Sequence, residues 1–210
     1  MKKIYIHGLG QTSKSWDIVF SHLGTSGDNV CSNLAELVHD KEVTYNTLYT
    51  AFAMLCNAME EPISLCSLSF GRVLALNYAI EYPEKVKSLV LIAAQYKMPK
   101  KLLKFQNILF RLMPNSMFQE MGFGKKDFLR LCSTMMDLDF SDLLSKISCP
   151  SLIICGEKDK VNRGASTELA GILPNAELCI LEGAGHEVNV EAPQKLAEIL
   201  QIFYNRVKND

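Results

Sequence analysis

No stretch of the 210-residue chain comes near the roughly 20 consecutive apolar residues of a bilayer-spanning helix, so stable membrane insertion is not expected. Net charge is almost absent: 22 basic residues meet 23 acidic ones, which leaves −1 and excludes a nucleic-acid binder held by bulk positive charge. Histidine is scarce, at four residues, and the seven cysteines include no CxxC pair. Neither a zinc site nor a disulfide framework is therefore expected, nor any metal or cofactor, and the thiols read as buried and free in a reducing cytoplasm. Repeats and low-complexity tracts are missing as well, and 48% hydrophobic residues exclude a disordered or collagen-like chain. The length suits one domain, monomeric or homodimeric, with room for a small insertion.

What is present is an alternation. Lys2-Lys3 ahead of Ile4-Tyr5-Ile6 starts like a leader peptide, but His7-Gly8 interrupts the apolar stretch, so residues 3–6 read as a strand. Strands are expected again at 30–32, 63–68, 86–94, 150–155 and 177–181, and helices at 15–23, 45–59, 70–81, 165–172 and 193–207. Short, continuously apolar strands separated by helices indicate a mostly parallel, doubly wound sheet covered on both faces, an α/β architecture. Residues 95–148 break the rhythm: they hold no clear strand and are rich in Leu, Phe and Met. The expected organisation is a core of 1–94 and 149–210 with a helical insertion at 95–148.

The sharpest local feature is Ser67-Leu68-Ser69-Phe70-Gly71, which follows a buried strand and opens a helix. A serine on so tight a turn has strained backbone angles, and its hydroxyl projects above the sheet; the turn needs small residues two before and two after, which Ser67 and Gly71 supply. The Phe70 N–H, at the helix N-terminus, is a candidate donor to an oxyanion. A serine hydroxyl needs a base, and the base needs an orienting carboxylate. Asp159 follows the strand ending at Cys155, and His186 follows the strand ending at Leu181. In an open α/β sheet, sites form beyond the carboxyl ends of the strands, so Ser69, Asp159 and His186 are expected to converge on one edge. The first strand runs into His7-Gly8-Leu9-Gly10, and the Leu9 N–H is the candidate second oxyanion donor. Ser64, Ser67 and Cys66 are rivals to Ser69 that alternation along the strand leaves inside the sheet.

These segments together resemble the α/β-hydrolase-fold superfamily. His7-Gly8 is similar to its oxyanion-loop HG, Ser67-Leu68-Ser69-Phe70-Gly71 to its nucleophile elbow, Gly156-Glu157-Lys158-Asp159 to its acid loop, and Gly183-Ala184-Gly185-His186-Glu187 to its histidine loop. The likeness spans nearly the whole chain. It implies an acyl-serine mechanism without a cofactor and a helical cap at about 95–148 over the site. Departures are Ser67 where glycine is usual, no hairpin ahead of the first strand, and only Cys31-Ser32-Asn33-Leu34 where an Asp-x-x-Gly-x-Gly-x-Ser loop is expected. The resemblance points to a carboxylesterase acting on small or medium acyl esters. Arg72, just after Gly71, together with Cys155–Asp159, also resembles the menaquinone-pathway branch, a lyase or C–C hydrolase for an anionic metabolite. A ligand receptor without catalysis is the third reading.

The insertion adds a charge signal. Between Tyr96 and Arg130 stand eight basic residues against Glu120 and Asp127 alone, so the segment is strongly positive. Lys100, Lys104 and Arg111 share one helical face; Leu102, Phe105, Leu109 and Leu112 lie on the other, which is expected to pack inward. A basic lid favours an anionic acyl substrate, and an amphipathic helix that touches lipid is a further reading. Met113, Met117, Phe118, Met121, Met135 and Met136 are expected to line an adaptable acyl pocket.

Overall fold

The computed structural model describes residues 2–24, 28–119 and 122–209. Six strands, β1 (Lys3–Ile6), β2 (Asn29–Cys31), β3 (Ile63–Leu68), β4 (Val86–Ile92), β5 (Ser151–Gly156) and β6 (Ala176–Leu181), form one sheet in the order β2-β1-β3-β4-β5-β6. Every pairing is parallel. All carboxyl ends therefore lie along one edge, where the loops carrying Leu9, Ser69, Asp159 and His186 emerge.

The α-helices are α1 (Asp17–Leu23), α2 (Leu34–Leu37), α3 (Tyr45–Asn57), α4 (Phe70–Glu81), α5 (Lys100–Leu112), α6 (Asn115–Gln119), α7 (Lys125–Thr134), α8 (Lys160–Ile172), α9 (Val188–Glu191) and α10 (Pro193–Asn209), and those outside the α5–α7 excursion cover both faces of the sheet. The period of two along the strands sorts the core into two layers. Ile4, Ile6, Leu65 and Ile153 pack with Leu48, Phe52, Leu74 and Leu169. Tyr5, Cys66, Val90 and Ile154 pack on the opposite face with Trp16, Val19, Leu200 and Phe203. The strand β3 is buried along its whole length, its two serines included: the Ser67 hydroxyl donates to Val90 O and the Ser64 hydroxyl accepts from Ser88.

Between β4 and β5 the chain leaves the sheet for α5, α6, α7 and a 3₁₀ segment at Ser141–Lys146. A single antiparallel bridge, Lys97 with Asp139, ties the two ends of this excursion: Met98 N–H donates to Leu138 O at 3.0 Å and Phe140 N–H to Tyr96 O at 3.0 Å. The Thr134 hydroxyl accepts from the Tyr45 N–H at 2.9 Å and fixes α7 against α3.

The helix α5 corrects an expectation. Phe105, Leu109 and Leu112 do not pack inward; all three are exposed, together with Ile108. The buried stripe is Leu103, Asn107 and, in part, Phe110. Asn107 belongs there because its amide donates to the Ser133 hydroxyl of α7 at 3.3 Å, so a polar residue holds a place that hydrophobic patterning assigns to an apolar one.

Candidate active site

Ser69 sits between β3 and α4 with φ 50° and ψ −115°, a left-handed conformation that is strained for a residue with a Cβ. The turn is held from below by Ser69 N–H to Ile92 O at 3.0 Å. Its hydroxyl caps no backbone N–H of α4 and is free to point elsewhere. Close approach explains the glycine two residues on: a Cβ on Gly71 would stand 2.7 Å from both Ile6 Cγ2 and Ile6 O, and 2.8 Å from His7 O. The elbow thus lies directly against the end of β1. Ser67, in place of the usual glycine, is accommodated because its buried hydroxyl donates to Val90 O at 3.1 Å.

The Ser69 Oγ lies 2.9 Å from His186 Nε2, and His186 Nδ1 lies 2.7 Å from Asp159 Oδ2. The tautomer satisfying both contacts carries its proton on Nδ1 and turns the Nε2 lone pair to the serine. Asp159 is buried, which alone would raise its pKa. Hydrogen bonds from His186 and Asn162 outweigh burial and hold the carboxyl below its ordinary 3.8. Asn162 is a residue that pattern reading missed. Its amide nitrogen donates to both Asp159 oxygens, at 2.9 and 2.8 Å, while its carbonyl accepts from Gln95 at 2.8 Å. That nitrogen also stands 3.1 Å from His186 Nδ1, but both atoms are donors in this arrangement, so the contact is proximity rather than a bond.

Two further ties fix the loops. Gln11 and Asn189 pair their amides reciprocally at 3.2 Å, and the Gln11 carbonyl also accepts the Gly8 N–H at 3.3 Å. This joins the loop after β1 to the loop after β6. The Glu191 carboxylate accepts Gly185 N–H at 2.7 Å and Glu187 N–H at 3.0 Å, and so grips the chain on both sides of His186. In the β1 loop, buried His7 accepts the Leu34 N–H at Nε2 (3.0 Å), while Nδ1 donates to Gly8 O at 2.9 Å. Burial lowers its pKa and keeps it neutral. The Leu9 N–H has no acceptor among the described residues; Leu9 and Phe70 both border the cavity above Ser69.

That cavity has a volume of about 440 Å³ and an apolar wall of Met98, Leu103, Phe110, Phe128, Cys132 and Met135, a size and lining suited to a small ligand. Of the residues expected to form the wall, Met135 does so. Met113, Met117, Phe118 and Met136 do not, and Met121 lies outside the described residues. Phe118 is fully buried one layer back, edge-on to Phe110 and Phe128 at centroid distances of 6.4 and 5.1 Å. Met117 points outward, and Met113 ends α5, where its carbonyl accepts the Lys125 ammonium at 2.6 Å. Arg72 is buried at the cavity. Its Nε donates to Ala93 O at 3.1 Å, its Nη1 donates to Gln95 O, and burial lowers its pKa to about 9. It makes no ion pair among the described residues. His22 and His39 are exposed and remote. No cluster able to hold a metal ion occurs among the described residues.

No family model matches the chain. It is 26% identical over 168 residues to monoacylglycerol lipase ABHD6 of Mus musculus, an alignment covering 70% of this chain and 50% of that protein. The chain thus spans about half the length of the curated relatives it matches first. Among solved structures it resembles MenH from S. aureus, with a TM-score of 0.82 at 16% identity over 99% of this chain and 94% of that one. It also resembles a carboxylesterase of Nitrososphaera gargenis, with a TM-score of 0.79 at 17% identity over 100% and 91%. Superposition over nearly the full length of such proteins shows that this chain has the α/β-hydrolase fold.

Proposed function

We propose that the chain is a serine hydrolase for small or medium acyl esters, with residues 95–148 acting as a cap on a core of 1–94 and 149–210. The observation that carries this reading is the hydrogen-bonded row Ser69–His186–Asp159 opening into an apolar cavity. Ser69 Oγ attacks the ester carbonyl as His186 Nε2 takes its proton, and the oxyanion is held by the N–H groups of Phe70 and Leu9. His186 then protonates the leaving alkoxide. Water, deprotonated by the same nitrogen, attacks the acyl-serine, releases the acid and restores the hydroxyl. Asp159 stabilises the imidazolium formed in each half, and its depressed pKa supports a carboxylate at neutral pH. A lost oxyanion donor costs about 3–4 kcal/mol in such enzymes. The burial of Cys56, Cys66 and Cys132, whose thiols are pushed up by desolvation, supports inert cysteines in a reducing cytoplasm.

The test is labelling by a fluorophosphonate probe. Wild type should react and Ser69→Ala should not; an unreactive wild type would favour a ligand receptor on the same fold. A second reading rests on Arg72, a positive charge at the cavity, and on the likeness to MenH: a lyase or C–C hydrolase for an anionic metabolite. A panel of neutral p-nitrophenyl esters against acidic substrates separates the two.

A further inference from the structure

The outward face of α5 takes no part in the proposed chemistry. At about 100° per residue, Phe105, Ile108, Leu109 and Leu112 fall within one arc of roughly 100°, and that arc faces away from the protein. Leu112 is 79% exposed, Phe105 58% and Ile108 57%. Lys101 lies inside the arc one turn earlier, and Lys104 and Arg111 run along its edge; all three are exposed, and among the described residues none makes a direct ion pair, Asp137 near Lys104 being paired with Lys100. The opposite side of the same helix supplies Leu103, Gln106 and Phe110 to the cavity. One helix thus separates the site from an apolar, cation-rimmed surface about 20 Å long (13 residues at 1.5 Å each).

An apolar patch rimmed by charge marks an interaction surface, and the sign of the rim selects among occupants. A second copy docking by the same face would set Lys101, Lys104 and Arg111 against their own counterparts, inside a segment that carries eight basic and two acidic residues from Tyr96 to Arg130. An anionic bilayer surface satisfies both halves: the apolar side chains enter the headgroup boundary while the cations meet lipid phosphates. No helix among the described residues is long and apolar enough to cross a membrane, so the contact is peripheral. We infer that α5 is a docking helix that seats the protein on anionic phospholipid bilayers, with the inner side of the same helix facing the cavity.

The experiment is co-sedimentation with large unilamellar vesicles, in a Ser69→Ala background so that no lipid is turned over and the outcome is independent of the hydrolase reading. Binding to 1:1 phosphatidylcholine–phosphatidylglycerol vesicles should exceed binding to pure phosphatidylcholine at least tenfold and weaken in high salt. The double variant Phe105→Ser/Leu112→Ser and the triple variant Lys101→Glu/Lys104→Glu/Arg111→Glu should each lose binding by at least tenfold. Their circular dichroism should stay unchanged, because the replaced side chains are exposed. A Ser69→Ala parent that fails to sediment with the anionic vesicles, or variants that sediment as well as that parent, overturn the inference. A light-scattering dimer abolished by Phe105→Ser/Leu112→Ser, without vesicle binding, assigns the face to a second copy instead.

Discussion

The contact between Gly71 and the end of β1 sets up a test of the proposed oxyanion geometry. In Gly71→Ala the new methyl meets Ile6 Cγ2 and Ile6 O at 2.7 Å and His7 O at 2.8 Å. Two of these are backbone atoms and cannot rotate away. Carbon contacts are comfortable from about 3.5 Å, so the end of β1 must retreat by roughly 0.8 Å. The loop after β1 carries Leu9, so the retreat withdraws the Leu9 N–H from Ser69. Misplacing a reacting group by about 1 Å costs on the order of 10²-fold in rate, so kcat should fall roughly 10- to 100-fold with a smaller change in KM.

Stability should respond much less. Overpacking costs about 1–3 kcal/mol, and alanine in place of glycine within a helix returns about 0.5–1 kcal/mol. The net loss of about 0–2.5 kcal/mol corresponds to no more than about 10 °C in Tm for a chain of this size. Gly164 on α8 is the control: a Cβ there meets nothing within 4 Å, so Gly164→Ala should raise Tm slightly and leave kcat/KM unchanged. The assay is ester hydrolysis by each purified variant beside its thermal melt. A folded Gly71→Ala enzyme with kcat/KM within threefold of wild type refutes the reasoning.

Two other outcomes follow from named side chains. Buried His7, whose pKa lies below its ordinary 6.5, stays neutral while the unfolded chain protonates; stability is therefore complete above about pH 6.5 and falls on acidification by at most about 1.4 kcal/mol per pH unit until the folded pKa is reached. Wild-type Tm should thus drop more than that of His7→Gln between pH 7.5 and 5.5, and parallel curves would refute this. Met135→Ala, which enlarges the cavity, should shift the ester panel toward longer acyl chains, whereas Met117→Ala, on an outward-facing residue, should not; the same shift in both would refute the assigned wall.

The sheet was legible because its strands are buried on both faces. The run Ile63–Leu68 and the helix Phe70–Glu81 start and stop where the sequence suggests, since Ser69 and the Tyr82-Pro83 pair punctuate an otherwise apolar stretch. Ser69, Asp159 and His186 stood out for a related reason: each follows a strand end, and parallel strands bring such ends to one edge. The phase of α5 was not legible. Hydrophobic spacing identifies an apolar face but not what the face meets. Here the inner stripe borders a cavity and tolerates Gln106 and Asn107, while the apolar arc faces outward. The methionines failed for the same reason: one turn of helix decides whether a side chain lines the cavity, backs its wall or faces solvent, and composition carries no turn-level information.

The polar ties were invisible on different grounds. Gln11 and Asn189 are separated by 178 positions and each, read alone, is an ordinary loop residue; Asn162 looks like a residue in the first turn of a helix capped by Asp159. Their meaning lies in saturation. Gln11, Asn162 and Asn189 are buried, so removing one amide strands its partners away from water, at about 1–3 kcal/mol for each group left unpaired. Loops at the edge of an open sheet have no ladder to hold them, and apolar packing is too permissive to set a donor within a fraction of an ångström. Directional bonds between the loops after β1, β5 and β6 provide that precision, because a donor amide satisfied at 3.2 Å on both sides has nowhere else to go. The same logic explains why the outward face of α5 carries no such ties: a surface that seats on fluid lipid needs apolar area and charge, and gains nothing from fixed geometry.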